Sequence, residues 1–192
     1  MKLTQKQTAT RSAQRVLLSF TQAMKTLLSR TAFEKITVNE LCDTADYPRS
    51  TFYNYFEDKY DLLAYCWSLI VDDIGLNEVK NMDENQILIE CFDRLYRLIN
   101  QNNAYLQTVL KHNSDGFLKG SLHEYMVTIA HDIFTDSFVD KHIIPVDLLI
   151  EHCFSTIMIV LDWIFVKHNS VTLKVAHQYL AILYGIQGFK AN

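Results

Sequence analysis

Two short helical segments, close in sequence and parted by a five-residue polar break, constrain this chain more than anything else in it. The first marks its own start. In Thr37-x-x-Glu40 the threonine hydroxyl can accept a hydrogen bond from an unpaired first-turn amide, while the glutamate reaches back toward the cap. Val38, Leu41 and Cys42 then fall on one inward face. Residues 43 to 47 break that helix, and Pro48 suits the first turn of the next, where its missing N–H is not needed. The second segment, 48–55, sets Phe52 and Phe56 on an anchoring face and leaves Arg49, Ser50, Thr51, Tyr53 and Asn54 for the outer face and its rims. A short helix, apolar behind and polar in front, suits the major groove of DNA, which admits a helix and exposes base edges within side-chain reach.

The flanking segments complete a small all-helical unit. Between Arg11 and Arg30 the residues Leu17, Phe20, Ala23, Met24, Leu27 and Leu28 recur three and four apart on one helical face. Asp58 can cap a further helix carrying Leu62, Leu63, Cys66, Leu69 and Ile70, and Lys59 in its first turn lies beside amides that can receive a phosphate.

Over about residues 16–65 the chain resembles the amino-terminal domain of the TetR family of bacterial transcriptional regulators. The resemblance is densest in FEKITVNELCDTADYPRSTFYNYFEDKYDLL, Phe33 to Leu63. Phe33, Thr37-Val38, Ala45, the run Thr51-Phe52-Tyr53-Asn54-Tyr55-Phe56, Lys59 and Leu62-Leu63 stand at the family's spacing. It implies that Thr37, Tyr53, Tyr55 and Lys59 hold the phosphate backbone while Arg49, Ser50, Thr51 and Asn54 lie near the bases. Chemistry agrees in outline: Arg49 can donate twice to guanine, Asn54 can pair with adenine, and the Thr51 methyl can meet thymine. Arg49 also suits a phosphate, Asn54 a solvated surface, and the two tyrosines a packing role. Three positions depart from the family pattern: Asp46 stands in the turn where glycine is usual, Pro48 replaces a frequent serine cap, and Ala32 replaces a frequent glycine. Asp tolerates the left-handed conformation and Pro the start of a helix, so the fold accommodates both.

Charge divides along the same line. Residues 1–60 hold nine Lys or Arg against six Asp or Glu, and residues 61–192 nine against sixteen, with all seven His in the second part. A basic front on an acidic body fits one surface offered to phosphates. Lys2, Lys6 and Arg11 form a candidate arm beside that surface. The expected division is 1–65 for the helix-turn-helix domain and 66–192 for a helical domain that dimerises and binds an effector.

In that second part, 86–100 and 122–138 read as helices, with the shorter 104–112 packed alongside the first. Pro145 opens a long helix to about Lys167 that is apolar around much of its girth, and 171–186 repeats the pattern, with Gly185 or Gly188 at its end. Two such helices can form half of a four-helix dimer interface, as the resemblance implies, and a ligand cavity would lie among the central helices. The candidate lining is Tyr96, Tyr105, Tyr125, Met126, Phe154, Met158 and Trp163, all of which also suit an ordinary core. Four scattered cysteines read as reduced, buried thiols. No histidine or cysteine spacing suits a metal, no catalytic motif is present, and no cofactor is called for. The first residues lack a secretory segment, and the apolar run 155–166, interrupted by Asp162, is too short to cross a membrane, so a cytoplasmic location without membrane partners is expected. These readings converge on a regulator that binds double-stranded DNA as a homodimer, a repressor released by a small hydrophobic effector. The alternatives are a ligand-independent or protein-controlled regulator, and an activator.

Overall fold

The computed structural model describes residues 10–79, 82–114, 116–138, 144–169 and 171–185; Lys2 and Lys6 of the candidate arm, and Gly188, lie outside them. Helix is the regular structure throughout the described residues. In chain order the helices are α1 (Arg11–Leu28), α2 (Val38–Ala45), α3 (Arg49–Tyr55), α4 (Lys59–Ile74), the single turn α5 (Leu76–Val79), α6 (Glu84–Gln101), α7 (Asn103–His112), α8 (Phe117–Phe138), α9 (Val146–Leu161) and α10 (Leu173–Tyr184). A 3-10 turn, Phe33–Lys35, separates α1 from α2, and a π turn, Asp162–Val166, prolongs α9.

The chain forms two compact units. One comprises the described residues up to Ile70 together with Ala104–Gly120; the other comprises Val71–Asn103 and the described residues from Ser121 onward. Segment 104–112, which periodicity sets beside 86–100, therefore belongs to the first unit.

The first unit is built on rings. Phe20, Phe33, Phe52 and Phe56 are fully buried, with Phe20 edge-on to Phe52 at 5.3 Å and to Phe56 at 6.1 Å. Leu41, Cys42, Leu62 and Leu63 close the core, and Val109 and Leu118 join it from the mid-chain segment. Local chemistry sets the helix ends. Thr10 caps α1 by accepting from the Ala13 amide at 3.2 Å. Thr37 and Glu40 form the anticipated capping box: Thr37 Oγ1 accepts from the Glu40 amide at 3.2 Å, and Glu40 Oε2 accepts from the Thr37 amide at 2.8 Å. Asp46 ends α2 in the left-handed region (φ 58°), the conformation glycine supplies elsewhere. Pro48 is the extended N-cap of α3 rather than a member of its first turn.

The second unit packs α6, α9, α10 and most of α8 around Phe92, Met126, Phe134, Phe154 and Leu161. Arg94 of α6 donates to the Ile74 and Gly75 carbonyls at the end of α4 (2.8 and 2.9 Å) and pairs with Glu78 and Glu90. Helix α9 and its π turn run unbroken for 21 residues, Val146–Val166, with mean hydropathy 1.7. By length and composition this whole segment could cross a membrane, which the run 155–166 alone is too short to do; 44% of its apolar window is buried inside the fold. The uncovered part forms a stripe of Leu148, Ile159, Trp163 and Val166, and α10 carries a second one, Tyr179, Ile182 and Leu183.

Candidate functional site

Helix α3 has seven residues and depends on what lies behind it. Phe52 turns inward from its centre and Phe56, its C-cap residue, follows one turn later, so both rings enter the aromatic core. Arg49, Ser50, Tyr53 and Asn54 are exposed on the opposite side, with Thr51 and Tyr55 half-buried at the rims. The structure thus brings together the four residues expected near bases and the two tyrosines expected at phosphates. Thr37 is exposed at the start of α2.

Arg49 is already oriented. Its Nη2 donates to the Tyr53 hydroxyl at 3.1 Å, and its guanidinium carbon sits 5.6 Å from the Tyr53 ring centre. That hydrogen bond raises the Arg49 pKa, keeping the cation charged. A guanidinium held along the helix face has less side-chain freedom left to lose when it meets a partner.

Lys59 is placed differently from the simple phosphate contact. Its ammonium donates to three carbonyls of the preceding turn, Phe33 at 3.0 Å, Glu34 at 2.8 Å and Ile36 at 2.9 Å. Three donors meet three acceptors, so the side chain works as a clasp on the entry to α2. In the same first turn the amides of Tyr60 and Asp61 are taken by the capping Asp58 carboxylate at 2.8 and 2.9 Å. Asp46 is exposed between the two short helices.

Two contributors escaped the sequence reading. Asn113, buried at the end of α7, accepts from the Phe33 amide, and Phe117 stacks on the Phe33 ring at 5.3 Å and 9°. An asparagine between two helices reads as a polar break, and no periodic signal separates it from one.

The second unit holds a cavity of about 150 Å³ among α5, α6, α8, α9 and α10. Of the candidate lining residues, Met126 and Phe154 face it; Tyr96, Tyr105, Tyr125, Met158 and Trp163 do not. Tyr96 packs on Phe92 and Phe165, Tyr105 lies in the first unit with its hydroxyl donating to the Lys25 carbonyl, and Trp163 is exposed. Tyr125 and Met158 are half-buried elsewhere. The wall is apolar apart from the Cys91 and Cys153 thiols and the Tyr184 hydroxyl, which donates to Cys153. Burial pushes the Cys91 thiol up to about 12, so it is protonated and neutral. Among the described residues no cluster of three His, Cys, Asp or Glu could hold a metal ion.

Residues 21–66 match the family model for bacterial regulatory proteins of the tetR family. A curated relative, the HTH-type dhaKLM operon transcriptional activator DhaS of Lactococcus lactis, is 28% identical over 92 residues, which cover 46% of this chain and 45% of the relative. The matched stretch therefore spans less than half the length of that relative. Among solved structures, the transcriptional regulator FadR from Bacillus subtilis, in complex with stearoyl-CoA, shares the helical fold with a TM-score of 0.60. That match is at 17% identity and covers 90% of this chain and 99% of the other.

Proposed function

We propose that this chain, which belongs to the TetR family of transcriptional regulators, is a DNA-binding regulator of gene expression, and more closely a cytoplasmic homodimeric repressor released from a palindromic operator by a small apolar effector. The observation that carries this reading is the outward face of α3, where Arg49, Ser50 and Asn54 stand exposed on a helix anchored by two fully buried phenylalanines. One copy of that face offers few base contacts, and two copies related by a two-fold axis read two half-sites in successive major grooves. The apolar stripes on α9 and α10 supply the surface through which two copies join. In this arrangement Thr37, Tyr53 and Tyr55 contact phosphates, and Lys59 supports them by holding the turn before α2.

The cavity supports an apolar effector. A space of about 150 Å³ walled by aliphatic side chains, a phenylalanine pair and two cysteines takes an uncharged molecule of roughly benzene size or one end of a longer apolar chain. Its occupation would favour the dimer conformers whose reader spacing misses the grooves.

An activator is the second reading, favoured by the Lactococcus lactis relative, which is a transcriptional activator. A regulator controlled by a partner protein or by its own abundance remains the alternative to effector control. Selection of bound DNA from a random duplex pool tests the main proposal. The wild type should recover an inverted repeat, Arg49→Ala and Asn54→Ala should each relax preference at a particular base, and an apolar effector should release the duplex without dissociating the dimer. Failure to enrich any inverted repeat would remove the operator-binding reading, and release absent with every small apolar molecule tried would favour the alternative.

A further inference from the structure

Within the reader unit, the turn that delivers the chain to α2 is held from the middle of the sequence. We propose that Asn113 is a positioning residue for DNA binding, its buried amide fixing the Phe33–Lys35 turn and through it Thr37; this rests on the operator-binding reading above.

The Asn113 side chain is 5% exposed and uses both ends. Its Oδ1 accepts from the Phe33 amide at 2.8 Å, and its Nδ2 donates to the Leu28 carbonyl at 3.3 Å and the Val109 carbonyl at 3.0 Å, with the Thr31 carbonyl at 3.5 Å. One amide therefore joins the end of α1, the start of the 3-10 turn and the last turn of α7. Ala32, the N-cap of that turn, has no side chain able to cap it, and Phe33 is fully buried, so its amide needs an acceptor from elsewhere in the fold. Asn113 is that acceptor. Lys59 meanwhile draws in the carbonyls of Phe33, Glu34 and Ile36, and the rings of Phe117 and Tyr60 pack on Phe33 at 5.3 and 5.2 Å. The amide, carbonyl and ring of Phe33 are thus held by separate side chains, four residues before the Thr37 cap.

The chemistry of the clasp selects asparagine. Both of its ends are engaged, one as acceptor and one as donor. Aspartate would accept from Phe33 but face the Leu28 and Val109 carbonyls with a negative charge; leucine would leave the Phe33 amide without a partner. Either change frees the turn to shift while the aromatic core still holds α3, so Thr37 moves relative to Arg49 and Asn54.

The test uses the full chain, with Asn113→Asp and Asn113→Leu, and the duplex that wild type recovers from a random pool. Helix content is followed by circular dichroism, affinity by fluorescence anisotropy, and the binding-competent fraction by titration at duplex concentrations far above Kd. Both variants should keep wild-type helix content and full stoichiometry while Kd rises about tenfold, the scale of one lost buried hydrogen bond. Relative to wild type at the same pH, Asn113→Asp should regain affinity near about pH 5, where a buried carboxyl is protonated and can donate again. Affinities within twofold of wild type for both variants would overturn the proposal. So would a reduced competent fraction whose remainder binds as wild type, since that marks simple loss of folded protein. If wild type enriches no duplex, the operator-binding reading itself fails and this inference falls with it, an outcome distinct from normal binding by the variants.

Discussion

Replacing Phe52 by alanine should destabilise the reader unit far out of proportion to the length of the helix that carries it. At seven residues α3 is well below the roughly 12–15 at which isolated helices begin to hold in water, so its stability comes from tertiary packing. Phe52 is fully buried, with ring centres at 5.3 Å to Phe20, 5.5 Å to Phe56 and 5.4 Å to Tyr53. Truncating such a residue costs about 3–5 kcal/mol, of which the edge-on pair with Phe20 accounts for about 0.5–1.5 kcal/mol. Set against a typical domain stability of about 5–15 kcal/mol, the unit should remain folded with much of its margin gone. Trp67 packs against this core, so its fluorescence in a Trp163→Phe background reports the first unit alone. With an m-value of about 1.5 kcal/mol/M, the urea midpoint should fall by about 2–3 M, and Phe52→Leu should lose less than half as much. Duplex affinity should fall with Phe52→Ala even where the protein is still folded, because the amides of α3 open more often. A loss below about 1 kcal/mol, or unchanged duplex affinity, would refute the claim that packing of Phe52 holds the reader in place.

Three further outcomes follow from the same geometry. The Glu40 carboxyl is held below its ordinary pKa, first by the Thr37 hydroxyl and then by the Thr37 amide, both of which favour its charged form. The stability this contributes is present above the unfolded pKa of about 4.3 and is lost as pH falls through the depressed folded value, so the melting-temperature gap between wild type and Glu40→Gln should be open at pH 7 and narrow steadily as the pH is lowered below the unfolded value. Burial pushes the Cys66 and Cys91 thiols up to about 12, against the weaker opposing pull of Lys25 and Arg94 respectively. Neither should react with iodoacetamide at about pH 8 until urea unfolds the chain, and native-state modification at the unfolded rate, read by mass spectrometry, would contradict the packing around them. Ile159 and Ile182 are 61% and 75% exposed, and Asp at both should weaken self-association by at least about a hundredfold in sedimentation velocity while leaving helix content unchanged.

Legibility tracked the range over which each feature is determined. The capping box of Thr37 and Glu40, the left-handed Asp46 and the inward Phe52 and Phe56 are settled by residues at most four apart, and all four appear in the structure as the sequence implies. Lys59 shows where such reasoning stops. Its position at the start of α4 suggested a phosphate contact, but the partners that claim its ammonium, Phe33, Glu34 and Ile36, lie more than twenty residues earlier. Segment 104–112 shows the same limit: helical periodicity identifies an apolar face without saying which core it enters, and Val109 enters that of the first unit. In the second unit aromatic identity was a poor guide to the cavity. Large rings fill space, so Tyr96 spends its surface on Phe92 and Phe165, while the wall is mainly aliphatic, from residues such as Leu88, Leu95 and Ile150.

The uncovered apolar surface of α9 admits two physical explanations, and α10 discriminates between them. Length and hydropathy alone would let Val146–Val166 cross a membrane. Helix α10, however, has only 12 residues, about 18 Å at 1.5 Å per residue, well short of a hydrocarbon core of about 30 Å, yet Tyr179, Ile182 and Leu183 form the same kind of stripe on it. A spanning α9 leaves that second stripe unexplained; a paired interface covers both at once. Reading DNA makes the same demand from the other end of the chain. If each good bidentate contact contributes about 1–3 kcal/mol, the exposed Arg49 and Asn54 of one helix fall near the bottom of the roughly 4–10 kcal/mol that separates specific from non-specific binding. A second copy doubles the contacts without another residue type, so the surplus apolar surface of the last two helices and the brevity of α3 call for the same solution.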